Sequence, residues 1–130
     1  MSTILLVEDE ELNRTLVKAV LSRSTEPTVR DAHVVDATSL AAARDRLAAD
    51  HIDLVLLDMN LPDGNGLNLA RELAADRVPS GRRKPAVVAV TASVLPQDRV
   101  AAIDAGCDDF LDKPYAAADL VAVVSRHLAS

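Results

Sequence analysis

The sequence predicts an α/β protein built on a parallel β-sheet with helices on both faces. Short apolar runs recur along the chain, and the strongest are continuous rather than alternating, which is typical of strands covered on both sides. Amphipathic patterns with helical spacing lie between these runs. Alternation of strand and helix with short connections favours βαβ units with right-handed crossovers. The chain has 130 residues and no evident linker, so residues 1–130 are predicted to form one domain.

Each predicted strand corresponds to one apolar run. The run at 33–35 is weak and is expected at an edge of the sheet, and the run at 110–111 is the shortest. The five strands are expected, in chain order, at residues 4–7, 33–35, 54–57, 87–90 and 110–111.

The five helices are predicted from apolar residues that recur at spacings of three and four. Thr38 or Ser39 is expected to cap the second helix, and Pro96 and Gly106 to begin and end the fourth. The apolar positions are, helix by helix, Leu12, Leu16, Val20 and Leu21; Leu40, Ala43 and Leu47; Leu67, Ala70 and Leu73; Val100 and Ile103; and Leu120, Val123, Val124 and Leu128.

Composition and charge exclude several classes of protein. The formal net charge of −6 leaves no basic stripe for nucleic acid, and the basic cluster at 82–84 is expected in a solvated loop. Cys107 is the only cysteine, so no intrachain disulfide can form. The N-terminus lacks the basic start of a signal peptide and a run long enough to cross a bilayer. We therefore expect a cytoplasmic protein that binds neither nucleic acid nor membrane.

Polar residues follow the predicted strands at the edge where α/β sheets bind ligands. Glu8 and Asp9 follow the first strand, and Asp58, Thr91 and Lys113 follow or end later ones. Two carboxylates about 4 Å apart repel by roughly 4 kcal/mol at an effective dielectric near 20. Mg²⁺, which prefers oxygen ligands, would relieve that repulsion. An aspartate beside Mg²⁺ and a lysine can act as a nucleophile toward phosphorus, because phosphoryl transfer depends mainly on positioning and charge neutralisation.

Four motifs carry a resemblance to a known family. ILLVEDEELNR, LVLLDMNLPDGNG, VAVTA and GCDDFLDKP occur in this order at strand ends. Together they resemble the receiver domain of bacterial response regulators, the phospho-accepting part of two-component signalling, and the resemblance covers essentially the whole chain. It implies a flavodoxin-like, doubly wound five-stranded sheet of order 2-1-3-4-5 with five helices on two faces. The sequence shows no output domain, so the output would be a separate protein or the next carrier in a phosphorelay.

The resemblance also implies a role for each site residue. Asp58 would accept the phosphoryl group, Lys113 would pair with it, and Thr91 with Phe110 would form the switch. The Mg²⁺ ligands, with Mn²⁺ as a substitute metal, would be Asp9, Asp58 and the main-chain oxygen of Asn60, with Glu8 behind them or bound through water. The peptide bond before Pro114 would be cis. Three departures stand out: Glu8 replaces a frequent aspartate, Phe110 replaces a frequent tyrosine, and segment 76–85 is longer than usual.

The expected phosphoryl donor is a sensor histidine kinase or a histidine phosphotransfer protein. It would dock near the first helix, with Leu12, Asn13 and Thr15 as candidate contacts. The domain would be a regulatory monomer that dimerises weakly after phosphorylation, and it would catalyse only its own phosphorylation and dephosphorylation. Two alternatives stay open. One is a receiver-like binding module that is never phosphorylated. The other is an aspartate-based phosphatase, which would need a second acid where Asn60 stands.

Overall fold

A computed structural model describes residues 2–75, 85–91, 96–113 and 115–128. Two features singled out from the sequence therefore lie outside the described residues. They are segment 76–85, of which only Pro85 is described, and Pro114 with its expected cis peptide bond.

Strands and helices alternate along the chain as the sequence predicts, with two small additions. In chain order the elements are β1 Thr3–Val7, α1 Glu11–Ser22, α2 Pro27–Arg30, β2 His33–Ala37, α3 Leu40–Ala49, β3 Leu54–Asp58, β4 Asn60–Leu61, β5 Gly64–Asn65, α4 Leu67–Ala74, β6 Ala86–Thr91, α5 Pro96–Asp104, β7 Asp109–Asp112 and α6 Ala117–Leu128.

The main sheet has five parallel strands in the order β2-β1-β3-β6-β7. Counting only these strands, the order is 2-1-3-4-5, and the predicted fold class is confirmed. The central strand β3 pairs with β1 on one side and β6 on the other, and all five of its residues are buried. The strand is therefore held rigidly on both sides, which fixes the position of Asp58 at its end.

Two apolar cores cover the two faces of the sheet. Along β3, Leu54 and Leu56 enter one core, whereas Val55 and Leu57 enter the other, as the two-residue period of a strand requires. The first core also receives apolar residues from α1, α2 and α6, and the second receives them from α3, α4 and α5. No helix in the described ranges is long and apolar enough to cross a bilayer.

The sequence did not predict α2 or the short antiparallel β4–β5 hairpin. The described residues thus form six helices rather than five. Helix α2 is a single turn that begins at Pro27 and buries Val29, and four residues are too few to show a helical period. The β4–β5 hairpin, residues 60–65, has two residues on each strand and follows the acceptor strand directly.

The apolar positions that predicted α1 and α5 do not all lie on the buried faces of these helices. Leu12 and Leu16 are 68% and 54% exposed, whereas Val17 and Leu21 carry the buried face of α1. On α5, Val100 and Ile103 are likewise exposed. The buried alanines are Ala102 of α5 and Ala105, one residue past the end of the helix, and their small side chains fit close to the sheet. Two apolar surfaces are consequently open to solvent.

Candidate functional site

The carboxyl edge of the sheet, where the parallel strands end, gathers the polar residues that the sequence singled out. Register explains this, because Val7 pairs with Leu57 and Asp58 with Val90, so neighbouring strands end level with one another. Glu8, Asp58 and Thr91 are buried at this edge, with exposures of 4%, 7% and 4%. Burial of two carboxyl groups in one place is costly unless they are paired, so their surroundings decide what they do.

Glu8, Asp9 and Asp58 form an acidic group. Each offers a carboxylate oxygen, and these oxygens lie within 4.8 Å of one another. Asp9 is exposed, which leaves the group open to solvent on one side. Oxygen donors of this type suit a hard divalent cation such as Mg²⁺ or Mn²⁺, and a partly open site suits Mg²⁺, which retains several waters.

Lys113 is the cation that faces this group. Its Nζ lies 3.1 Å from Oε1 of Glu8 and 3.5 Å from Oδ2 of Asp58. Burial lowers the pKa of the Lys113 ammonium, but the hydrogen bond to Glu8 and the charges of both carboxylates outweigh burial and raise it. The site therefore holds a charged lysine against two buried carboxyl groups.

Glu8 shares hydrogen bonds with both neighbours. Burial raises the pKa of the Glu8 carboxyl, yet hydrogen bonds with Asp58, the amide of Glu10 and Lys113 lower it overall. A single ammonium group cannot neutralise two buried carboxylates, so a divalent cation would complete the charge balance of the site.

Backbone contacts fix the loop that carries Glu8. Its N–H donates to the carbonyl of Ala37 at the end of β2, over 2.9 Å. Arg14, a residue without an assigned role in the sequence prediction, donates from Nη1 to the carbonyl oxygen of Glu8 over 3.0 Å. The first turn of α1 and the neighbouring strand therefore both hold the acidic loop in place.

The segment after Asp58 is equally constrained. Met59 N–H donates to the carbonyl of Val90 at 3.2 Å, and Gly66 N–H donates back to the carbonyl of Met59 at 3.0 Å. A Cβ on Gly66 would lie 2.4 Å from the carbonyl oxygen of Asp58, so no side chain fits there. Gly66 thus has a steric role, because it lets the chain pass close to the carbonyl of Asp58. Asn60, the predicted main-chain metal ligand, lies in β4 within this constrained segment.

Thr91 and Phe110, the two residues of the predicted switch, lie on adjacent strands. Thr91 ends β6, and its carbonyl accepts the N–H of Lys113 at 2.7 Å. Phe110 pairs with Ala89 across the strands and packs, partly buried, on the core that includes α5. The guanidinium of Arg99 lies 5.1 Å from the centre of its ring and also pairs with Asp112. Phe110 is therefore covered from the α5 side by a cation.

The predicted partner surface lies on α1 beside the site. Leu12 and Thr15 are exposed and Asn13 is half-buried. A groove of about 470 Å³ runs between α1 and α6, and its lining includes Asn13, Leu16, Tyr115 and Lys113. The groove thus leads from an exposed apolar surface to the lysine of the site. Sequence reasoning missed Leu16 as a surface residue, because its spacing also fitted a buried helix face.

Comparison with known proteins gives consistent results. The sequence profile described as the response regulator receiver domain matches residues 4–125. The aerobic respiration control sensor protein ArcB of Escherichia coli is 39% identical over 95% of this chain, which covers 15% of that protein. The KDP operon transcriptional regulatory protein KdpE of the same organism is 32% identical over all of this chain, which covers 54% of its length. The chain thus spans about half of the length of KdpE and a much smaller part of the length of ArcB.

A solved structure extends the comparison to three dimensions. The receiver domain of the sensor histidine kinase PA1611 of Pseudomonas aeruginosa has a TM-score of 0.80 and is 31% identical, with 99% of this chain and 98% of that one covered. That crystal structure has a magnesium ion coordinated in its active-site cleft. The profile spans nearly the whole chain, and the observed sheet order is the one that the resemblance implied. The chain therefore belongs to the response regulator receiver domain family and is a phospho-accepting signalling switch.

Proposed function

We propose that Asp58 accepts a phosphoryl group from a histidine kinase or a histidine phosphotransfer protein in a Mg²⁺-dependent reaction. The observation that carries this proposal is the position of Asp58. It is buried at the end of the central strand, within 4.8 Å of two further carboxylates and 3.5 Å from the ammonium of Lys113. An aspartate that only formed a turn would not need a lysine and two further acids beside it.

Asp9, Asp58 and the main-chain oxygen of Asn60 would hold the metal, with Glu8 behind them or bound through water. The donor set fits, because the acidic group has more buried carboxyl oxygens than Lys113 neutralises. When bound, the ion would neutralise charge on the phosphoryl oxygens. Asp58 supplies the attacking carboxylate oxygen, a new O–P bond forms, and the P–N bond to the donor imidazole breaks. Lys113 pairs with one phosphoryl oxygen, and the Thr91 hydroxyl donates to another.

The phosphoryl group would then bias a two-state switch. It adds a charge of roughly −1.5 to −2 if it titrates as other protein phosphates do. Thr91 would move toward it, and Phe110 would turn into the space that Thr91 leaves. The surface of α5 and the adjacent strands would change shape, and its exposed Val100 and Ile103 offer an effector apolar contacts. The phosphoryl group would thereby favour one pre-existing state over another.

We propose that the donor docks on α1. Leu12, Asn13 and Thr15 lie on the helix that begins just after the acidic group. Leu16, exposed beside them, adds apolar surface of the kind that forms the core of an interface. A histidine presented from this side would reach Asp58 past Asp9, the exposed member of the acidic group.

Labelling with a radioactive small-molecule phosphodonor tests the acceptor assignment. We expect a Mg²⁺-dependent label that hydroxylamine releases, as it releases an acyl phosphate, and no label on Asp58→Asn. Asp53→Asn is the matched control, because Asp53 precedes the same strand at its other end and should leave labelling intact. Undiminished labelling of Asp58→Asn would contradict the assignment. A label on no residue would favour the binding-module alternative, and repeated turnover of a phosphate ester would favour the phosphatase.

A further inference from the structure

One exposed side chain links the β4–β5 hairpin to a helix that lies far from it in the sequence. Asp63, at the tip of the hairpin, accepts hydrogen bonds from the N–H groups of Leu40 at 2.8 Å and Ala41 at 3.1 Å. These residues begin α3, more than twenty positions earlier in the chain. The two amide bonds lower the pKa of the Asp63 carboxyl, so it is a charged acceptor at neutral pH.

Helix α3 has a separate cap of its own. The hydroxyl of Ser39 accepts the N–H of Ala42 at 3.1 Å, and the Ser39 carbonyl accepts the N–H of Ala43 at 3.0 Å. A local cap of this kind is the usual way to begin a helix. Asp63, from another element, accepts the hydrogen bonds of the two remaining amides, so it links the hairpin to α3 as well as capping the helix.

Packing at the tip reinforces this link. Gly64 has a φ of 145°, and a Cβ there would lie 3.2 Å from Cδ1 of Leu40. Leu40 is itself only 2% exposed. The tip of the hairpin therefore sits against the first turn of α3. The base of the hairpin is Asn60, two residues after Asp58, and its partner Asn65.

Both loops that carry proposed metal ligands are fastened to one junction. The carbonyl of Ala37, at the end of β2, accepts the N–H of Glu8 at 2.9 Å, and the first amides of α3 hold Asp63. The connection from Ala37 to Ala41 thus fixes the acidic loop on one side and the hairpin on the other. Neither contact involves a carboxylate of the acidic group.

We propose that Asp63 is a positioning residue for the metal site. By holding the hairpin tip on α3, it keeps the main chain of Asn60 at a fixed distance from the carboxylates of Asp9 and Asp58. Mg²⁺ demands near-ideal octahedral geometry, so a ligand on a loosely held loop binds it less well. This inference rests on the proposed function, in which the Asn60 carbonyl is a ligand.

The test is a calorimetric titration of Mg²⁺ into the unphosphorylated protein. We expect Asp63→Ala to weaken Mg²⁺ binding about tenfold, the low end for residues that orient a metal ligand. Ser39→Ala is the matched control, because it removes a cap from the same helix without touching the hairpin. It should lower stability while leaving the Mg²⁺ affinity unchanged. Asp63→Asn, which keeps one acceptor oxygen and a similar shape, should recover part of the affinity.

The hairpin can also be followed without metal by hydrogen exchange. The Gly66 amide, which bonds to the Met59 carbonyl, should exchange faster in Asp63→Ala than in Ser39→Ala. Equal Mg²⁺ affinity in the wild type and Asp63→Ala, or equal weakening in Asp63→Ala and Ser39→Ala, would overturn the inference alone. A wild-type protein that binds no Mg²⁺ at millimolar concentration would overturn the proposed function and this inference together.

Discussion

The two edges of the sheet both carry aspartates, yet they use them in opposite ways. At the amino edge, where the strands begin, Asp53 accepts the N–H of Thr3 and Asp108 accepts the N–H of Val87, each at 2.8 Å. At the carboxyl edge, Asp58 faces Glu8, Asp9 and Lys113 instead. The residue type and the strand-end position are the same, and only the partners differ.

Those partners separate a structural aspartate from a functional one. At the amino edge each carboxylate accepts a hydrogen bond from a backbone N–H of a neighbouring strand. The main-chain N–H groups of Asp53 and Asp108 also donate hydrogen bonds to the same strands. At the carboxyl edge the carboxyl groups face one another, and one lysine offsets only part of their charge. The carboxylates of the amino edge are therefore satisfied by the protein itself, whereas at the carboxyl edge the proposed Mg²⁺ would balance the remaining charge.

Removal of Lys113 should have the largest effect on stability. In Mg²⁺-free buffer, Lys113→Ala leaves Glu8 and Asp58 buried without their cation, and breaking a buried pair in this way costs about 3 kcal/mol. Urea unfolding gives the free energy. Lys18→Ala is the control, since Lys18 pairs with Asp36 on the surface at 2.6 Å and such pairs contribute about 1 kcal/mol or less. Equal losses in the two variants would show that the carboxyl edge is solvated like any surface.

Replacement of the acceptor should change stability in the opposite direction. Asp58→Asn removes one of two facing carboxyl groups, so in Mg²⁺-free buffer it should raise the free energy of unfolding by about 1–2 kcal/mol. Millimolar Mg²⁺ should stabilise the wild type, because it binds only the folded state, and should hardly affect the variant. A destabilised Asp58→Asn would mean that Asp58 is a satisfied structural group like those at the amino edge.

An amino-edge aspartate should show the reverse pattern. Asp108→Ala removes the acceptor of the Val87 amide and should cost about 1 kcal/mol, the usual loss for one hydrogen bond. Its stabilisation by Mg²⁺ should equal that of the wild type. Asp108→Asn keeps an acceptor oxygen and serves as the control for the change of charge. A loss of Mg²⁺ response in Asp108→Ala would couple the two edges and remove the distinction between them.

The same contrast explains what the sequence could predict. Strand ends and a strand order were enough to bring Glu8, Asp58, Thr91 and Lys113 together, because parallel strands place their carboxyl ends at one edge. The link from Asp63 to α3 joins residues more than twenty positions apart through one exposed side chain, and such a contact leaves no periodic signal.

Helix faces were harder to read than strand ends. Leu16 fits the helical spacing as well as Val17 does, yet Leu16 is exposed and Val17 is buried. The one-residue difference is a rotation of 100° about the helix axis, and hydrophobicity alone does not determine it when both positions are apolar. An apolar docking surface and a core face therefore look alike in one sequence.

The smallest expected effect concerns pH and a third amino-edge aspartate. Burial raises the pKa of the Asp109 carboxyl, but the Phe110 amide at 2.8 Å, His127 at 3.1 Å and the charge of Arg126 outweigh burial and lower it below its ordinary value. A carboxyl whose pKa is depressed in the folded state stabilises the protein above its unfolded pKa. That contribution is lost as the pH falls through the folded pKa. Wild-type stability should therefore decline between about pH 5 and pH 2.

Asp109→Asn should make this decline shallower, because the variant carries no group to protonate at that position. Asp45→Asn, an exposed aspartate of α3, is the control. Urea unfolding at a series of pH values gives the slopes. The carboxyl edge is the same in all three proteins, so the difference between slopes isolates Asp109. Identical slopes for the wild type and Asp109→Asn would mean that, in solution, the contacts with Phe110, Arg126 and His127 do not stabilise the charged carboxylate. The amino edge would then be less complete than its hydrogen bonds indicate.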